Sequence, residues 1–380
     1  MNIDAPLTLL GGLSPSQFMR RHWQKKPLLV RQAWPGVKPP LTRAAMFALT
    51  ANPDVESRLV INEQGSWSVQ AGPQRRRDFP PLQQAGWTLL LQGLDLHVAA
   101  AHQMLQAFRF VPAARLDDLM LSWASVQGGV GPHTDAYDVF LLQTQGRRRW
   151  QVGRCTRPAW VADSPLKRLA NFEPTLEWVL EPGDMLYLPP HWGHDGVAVD
   201  GECMTCSIGF RSPGADELAR ELLQRLADDG DDPAVRHYRD PDQVATTEPG
   251  ALPPTLKAFA QQALAARLAD PQALARVLGE WATEPKPQVW FEAGSVPVGA
   301  QGLAVHARSR MLYDDGLVFI NGEAFAASGR DAMLLRKLAD QQHLAAGDLN
   351  KLSGGARELV WQWAAAGWLE TTAHEPEHRS

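Results

Sequence analysis

His133 and Asp135, in Gly131-Pro-His-Thr-Asp135, set an imidazole and a carboxylate on one side of an extended segment, because residues two apart there share a face. Together they offer a metal two ligands of hard to borderline character. A third candidate follows in Pro189-Pro-His-Trp-Gly-His194, just beyond an apolar run at 185–188. Two histidines and one carboxylate on one face of a metal leave coordination positions open, the arrangement that non-haem iron(II) centres use for oxygen chemistry. Zinc accepts the same ligands, and an isolated His-x-Asp pair is common by chance. What adds weight is Gly146-Arg-Arg-Arg-Trp150, an arginine-rich run directly after the apolar segment that follows His-x-Asp. An arginine inside a sheet sandwich is costly unless paired, and 2-oxoglutarate would present a carboxylate as bidentate partner. Alternation sets Arg148 on the face opposite to Arg147 and Arg149 and leaves open which face is inward.

Such residues need a rigid frame. Between 116 and 211 short apolar runs at 119–126, 139–143, 149–152, 177–180, 185–188 and 203–210 are split by Gly and Pro. That texture predicts a β-sandwich or jelly roll, the cupin architecture. Ahead of it, residues 1–112 mix short strands such as 27–31 with helices including 94–108, an α/β lead-in that packs on the jelly roll. Beyond it the chain turns helical over 213–287, at 216–227 and again at 254–281; Leu218, Leu222, Leu223 and Leu226 form one stripe. Residues 288–380 carry two strand-like runs, 302–311 and 316–320, around Asp314-Asp-Gly316, then helical stretches at 331–339 and 355–365. Helices with a hairpin at this size suggest a winged helix. The fold class expected is α+β and multidomain: a double-stranded β-helix of the cupin type at 113–212, a helical segment and a C-terminal winged helix.

The whole chain constrains function more loosely. Its 380 residues exceed one ordinary core, and 44% hydrophobic with 21% charged residues is the balance of a folding protein. A net charge of −5 argues against a polybasic surface, and the acidic ending Glu375-Pro-Glu377 argues against direct nucleic-acid contact by the winged helix. Three cysteines make no disulfide framework, the N-terminus lacks a secretory pattern, and no run approaches the roughly 20 apolar residues that span a bilayer. A cytoplasmic, non-membrane protein is expected. Cys203 and Cys206 sit three apart in a strand-like run, so they read as buried thiols on opposite faces rather than a redox or zinc pair.

Several motifs then resemble one family. Asp117-Asp-Leu-Met-Leu-Ser122, Gly128-Gly-Val-Gly-Pro-His-Thr-Asp135, Tyr137-Asp-Val-Phe-Leu-Leu-Gln143, Gly146-Arg-Arg-Arg-Trp150, Pro182-Gly-Asp-Met-Leu-Tyr-Leu-Pro-Pro190 and Ser207-Ile-Gly-Phe-Arg211 resemble the bacterial JmjC ribosomal oxygenases. These are arginine hydroxylases that act on large-subunit ribosomal protein sixteen. The likeness extends from His22-Trp-Gln-Lys-Lys-Pro27 through the order sandwich, helical dimerisation segment, winged helix. It implies Fe(II) held by His133, Asp135 and His194, with 2-oxoglutarate and O2 as co-substrates. It sets Arg148 on the distal carboxylate of 2-oxoglutarate, with Ser122 and Ser207 at the same pocket. Asp118, Met120 and Tyr137 match positions around the substrate arginine, where a carboxylate pairs with guanidinium and an aromatic face stacks on it; otherwise they are strand residues packing at the sandwich mouth. The partners implied are an arginine-containing loop of ribosomal protein sixteen and a second copy of the chain in a homodimer.

His191 and Ala124 depart from the family pattern. Alignment on Pro189-Pro190 and Gly196 favours His194 as the ligand, which leaves His191 to orient a ligand or a water. The reaction implied is decarboxylation of 2-oxoglutarate to succinate coupled to hydroxylation of a side-chain carbon. Both ligating histidines must be neutral, so activity is expected to fall as pH drops through roughly 6.5. The rival readings are a histidyl or asparaginyl hydroxylase or a demethylase of the same class, and a non-catalytic metal-binding cupin that serves as an interaction module.

Overall fold

The computed structural model describes residues 2–228, 237–298 and 301–372, so Glu375-Pro-Glu377 lies outside the described residues. The chain divides after Ser212 into two compact units. In the first, helix α1 (Pro15–Arg21) leads to strand β1 (Leu28–Val30), helix α2 (Arg43–Leu49), strands β2 (Ser57–Glu63), β3 (Ser66–Ala71) and β4 (Trp87–Leu91), and helix α3 (Ala99–Gln106). Strands β5 (Leu116–Ala124), β6 (Asp138–Gln145), β7 (Arg148–Arg154), β8 (Leu176–Leu180), β9 (Met185–Leu188), β10 (Trp192–Ala198) and β11 (Cys203–Phe210) follow. They pair antiparallel into a major sheet, β1-β9-β6-β11-β5-β4-β2-β3, and a minor sheet, β10-β7-β8. The lead-in therefore does more than pack on the jelly roll. It lengthens the major sheet at both edges.

β11 shows why the central strand reads as a continuous apolar run: all eight residues are buried, because a layer covers each face. Met204, Cys206, Ile208 and Phe210 join an aromatic core with Phe18, Trp87, Phe108, Trp123, Phe140 and Tyr187. Burial of each phenylalanine there stabilises the unit by roughly 2–3 kcal/mol. The alternate residues Cys203, Thr205, Ser207 and Gly209 turn the other way. The two cysteines are thus free, buried and on opposite faces, as the spacing predicts. Between the sheets, Val139, Leu141, Trp150, Val152, Leu180, Leu186 and Leu188 make a second, smaller core. Arg149 and Gln151 on the outer face of β7 both reach Glu177, at 3.8 and 2.8 Å.

The lead-in is tied on by polar contacts as well. Buried Asp184 accepts the Gln32 N–H at 2.9 Å and pairs with Arg31 at 2.6 Å, which pins the end of β1. The Tyr187 hydroxyl donates to buried Asp138 at 2.6 Å, and Gln24 and Arg115 reach the other carboxylate oxygen at 3.1 Å.

The second unit begins with α4 (Ala215–Asp228), α5 (Pro254–Leu268) and α6 (Pro271–Thr283). A sheet of β12 (Gly302–Val305) and a meander of β13 (Met311–Asp314), β14 (Leu317–Ile320) and β15 (Glu323–Ala326) follow, then α7 (Gly329–Gln341), β16 (His343–Leu344), α8 (Ala346–Leu349), α9 (Gly354–Ala365) and β17 (Leu369–Thr372). β12 lies between β16 and β17. Leu303, Leu335, Leu338, Val360 and Trp363 centre its core. No helix of the described residues is long and apolar enough to cross a membrane.

Three expected elements differ. The helix at 94–108 is a 3-10 turn, Leu94–Leu96, followed by α3, the turn entered through Gly93 in a left-handed conformation. The helix at 254–281 breaks between α5 and α6, where Asp270 caps the Gln272 N–H and Pro271 starts a new helix. The run at 302–311 is not one strand of a hairpin. Its first part is β12, its end is β13, and only β13 turns back through Asp315-Gly316 onto β14.

Candidate active site: a His-Asp-His face and an unpaired arginine

β10 is absent from the expected strands, yet it carries His194. Its sequence, Trp-Gly-His-Asp-Gly-Val-Ala, has two glycines and little β-propensity, so pairing on both sides imposes the strand. On one side it pairs with β7, His194 opposite Val152, Gly196 opposite Trp150 and Ala198 opposite Arg148. On the other, His133 and His194 exchange both backbone hydrogen bonds, at 3.0 and 2.8 Å. Directly opposed residues of this kind project to the same face, so the two imidazoles meet. Their ring centroids are 4.2 Å apart.

Asp135, two residues on from His133, completes the group. One atom from each of His133, Asp135 and His194 lies within 4.8 Å of the others, and His194 Nε2 is 3.5 Å from Asp135 Oδ2. His133 Nδ1 hydrogen-bonds the Gly131 carbonyl at 2.9 Å, and His194 Nδ1 the Trp192 carbonyl at 3.0 Å. Each ring therefore keeps its proton on Nδ1 and turns the Nε2 lone pair to the shared centre, the form a metal needs. Burial pushes His194 down to about 4, with His133 adding to the shift and Asp135 opposing it. The expectation that both imidazoles charge near pH 6.5 is therefore corrected for His194, which stays neutral well below that.

His191 is exposed, with a positive φ of 64°, and is not part of the group. It acts through its backbone: its N–H donates to the Asp135 carbonyl at 3.2 Å.

Arg148 is the inward arginine of its run. It is 5% exposed, whereas Arg147 pairs with Asp200 at 2.8 Å and Arg149 faces Glu177. Its Nε approaches Cys203 Sγ at 3.5 Å, its guanidinium stands 5.7 Å from the Trp150 ring centroid, and its Nη2 is buried with no hydrogen-bond partner. A buried guanidinium nitrogen without an acceptor is expensive, and an anionic ligand is the usual remedy. Trp150 shares this face and lies 5.9 Å from His194, so one indole floors the space between arginine and histidine. Gly196 makes that possible, since a Cβ there would come within 2.5 Å of the indole.

The remaining candidates line the facing sheet. Asp118, Met120 and Ser122 alternate on the inner face of β5; Ser122 pairs with Thr205, and Ser207 with Met120. Ser122 Oγ donates to the Thr205 carbonyl at 3.3 Å. Asp118 is buried and accepts the Gly93 N–H at 3.0 Å. Tyr137 sits at the rim, and burial together with Asp135, Asp118 and Asp117 raises its hydroxyl above the ordinary range. The Asp118 carboxylate and the Tyr137 ring both border the space that a side chain at Gly209 would occupy. Ala124 is buried with Ala198 and Cys203, a small apolar patch around the arginine. Motif reading missed Trp150 and the Cys203 contact. Two-residue alternation from Arg148 was enough to find the first.

An open His-Asp-His face in a jelly roll, with a buried cation beyond it, is the site plan of cupin-type metal enzymes. Residues 103–218 match the JmjC domain family, and residues 266–370 the ROXA-like winged helix. The chain is 36% identical over 242 residues to the ribosomal protein uL16 3-hydroxylase of Escherichia coli (strain K12), covering 62% of each. It is 37% identical over 211 residues to a probable ribosomal oxygenase of Haemophilus influenzae, covering 54% of this chain and 52% of that one. These alignments span between half and two thirds of the relatives' own lengths. The structure of YcfD, a ribosomal oxygenase from Escherichia coli in complex with cobalt and 2-oxoglutarate, matches with a TM-score of 0.81 and 27% identity over 94% of this chain and 98% of that one. The chain thus carries a match to the JmjC domain followed by a match to the ROXA-like winged helix.

Proposed function

We propose that this chain is an iron(II)- and 2-oxoglutarate-dependent dioxygenase that hydroxylates an arginine side chain of ribosomal protein uL16. The observation that carries the reading is Arg148 Nη2, buried and unpartnered on the sheet face that presents His194. Ala198, opposite Arg148, is four residues from His194, about 13 Å along the strand. An arginine side chain built of bonds near 1.5 Å reaches about half of that. The remaining gap suits a five-carbon dicarboxylate bound to a metal at one end.

When bound, iron(II) would supply dioxygen activation coupled to decarboxylation of 2-oxoglutarate. His133, Asp135 and His194 would hold the ion. Arg148 would receive the distal carboxylate, with Ser122 and Ser207 lining that pocket and Trp150 keeping water from it. Asp118 would meet the substrate guanidinium and Tyr137 would flank it at the rim, beside Met120. The uL16 3-hydroxylase relative and the 2-oxoglutarate held by the YcfD structure support this assignment. The same reading has the protein act in the cytoplasm as a homodimer through 213–287. Exposed Leu223, Leu264, Leu268, Leu274 and Leu278 on α4, α5 and α6 support an interface there.

Succinate release and the gain of one oxygen atom by a uL16 peptide, with iron(II), ascorbate and 2-oxoglutarate, test the proposal. Turnover by wild type and its loss in His133→Ala are expected. Absence of turnover together with absence of metal-dependent 2-oxoglutarate binding would refute it.

A further inference from the structure

Arg148 is held by a polar frame that the ligand set does not explain. Thr205 Oγ1 donates to Gln143 Oε1 at 2.9 Å, fixing which way that amide points. The Gln143 amide nitrogen then donates to the carbonyls of Gln145 and Gly146, at 2.8 and 3.1 Å, and lies 3.2 Å from Cys203 Sγ. Arg148 Nε is 3.5 Å from the same sulfur. All four residues are buried, and they come from β6, β7 and β11, so the frame bridges the two sheets. Thr205 and Cys203 alternate on the inner face of β11, which is why the frame points into the sandwich.

We infer that Cys203, braced by Gln143, is the positioning residue for the co-substrate arginine. The inference rests on the assignment of Arg148 to the distal carboxylate of 2-oxoglutarate. A guanidinium on a flexible stem would have to be ordered at the moment of binding, at a cost in side-chain entropy. Here the sulfur receives Nε, the Trp150 ring covers one side, and Nη2, buried and without a hydrogen-bond partner, is left for an incoming acceptor. A thioether or thiol sulfur is a weak, polarizable acceptor. It orients the cation without the full counter-charge that a carboxylate at position 203 would place in competition with the co-substrate. The patch of Ala124 and Ala198 beside it is apolar and uncharged.

The test is calorimetric titration of 2-oxoglutarate into the Mn(II)-loaded full chain, paired with kcat and KM for the co-substrate. Cys203→Ala is expected to raise Kd and KM for 2-oxoglutarate about tenfold, with kcat at saturating co-substrate and Mn(II) affinity unchanged. Cys203→Ser, which restores an acceptor, is expected to recover most of that loss, and it decides the matter should Cys203→Ala not fold. Wild-type binding with an unchanged Kd in Cys203→Ala, or a Cys203→Ser variant no better than alanine, overturns the positioning role alone. Wild type that binds Mn(II) but no 2-oxoglutarate overturns the assignment of Arg148 and this inference with it.

Discussion

Replacing Arg148 with methionine should move stability and ligand binding in opposite directions. Methionine keeps an unbranched stem of similar length and can pack against Trp150, so the substitution chiefly removes a buried cation. In the ligand-free protein that cation has Nη2 unsatisfied, and an orphaned buried polar group costs about 1–3 kcal/mol, more when charged. Arg148→Met is therefore expected to raise the unfolding free energy of the metal-free protein by about 1–2 kcal/mol after allowance for imperfect packing. With 2-oxoglutarate the sign reverses, because the variant leaves a carboxylate buried without its partner. Loss of one member of a buried ion pair costs roughly 3–5 kcal/mol, or between about two and four orders of magnitude in Kd. Urea denaturation of the metal-free protein and calorimetric titration of 2-oxoglutarate into the Mn(II) form measure the two. A destabilised variant that binds 2-oxoglutarate within threefold of wild type would show that Arg148 is structural and refute the argument.

Other expectations concern the metal face. His194→Ala should weaken Mn(II) binding by about 100-fold or more, while His191→Ala changes it less than twofold, and equal effects of the two would reverse the ligand assignment. Because the folded-state value of His194 is depressed to about 4, its contribution to metal-free stability is full above the unfolded value near 6.5. It is lost as pH falls from there towards 4, by about 3 kcal/mol in all. The difference between wild type and His194→Gln in urea midpoints across that range should show this slope, and a flat difference would contradict it. Gly196→Ala drives a methyl into the Trp150 indole and should cost about 1–3 kcal/mol of stability while raising the KM for 2-oxoglutarate. An unaltered KM would mean that the indole does not shape the co-substrate space.

The parts of the site that were legible in the sequence are those whose geometry is local. His133 and Asp135 share a face by spacing alone, and Arg148 was separated from Arg147 and Arg149 by alternation. Which face is inward was not legible, because it depends on β10 lying opposite β7 and on Glu177 drawing Arg149 outward. β10 itself was hidden for the same reason: two glycines and an aspartate form a strand only when neighbours on both sides pair with them. Cys203 could be read as a buried thiol, but its contact with Arg148 joins residues 55 positions apart across two sheets, beyond any periodicity. The break at Asp270-Pro271 is a different kind of miss, since a capping aspartate before proline was already in the sequence.

The match to the JmjC family opens inside α3, after β1, β2, β3 and β4 have gone by. A gene cut at that point would retain all three metal ligands and the arginine. It would also strip half the strands from the major sheet and leave Leu119, Leu121, Phe140 and Tyr187 without the layer that covers them. The inherited chemical unit is thus smaller than the smallest body able to stand upright. Anyone exchanging such segments between relatives, or trimming the protein for expression, must carry the first hundred residues along as ballast.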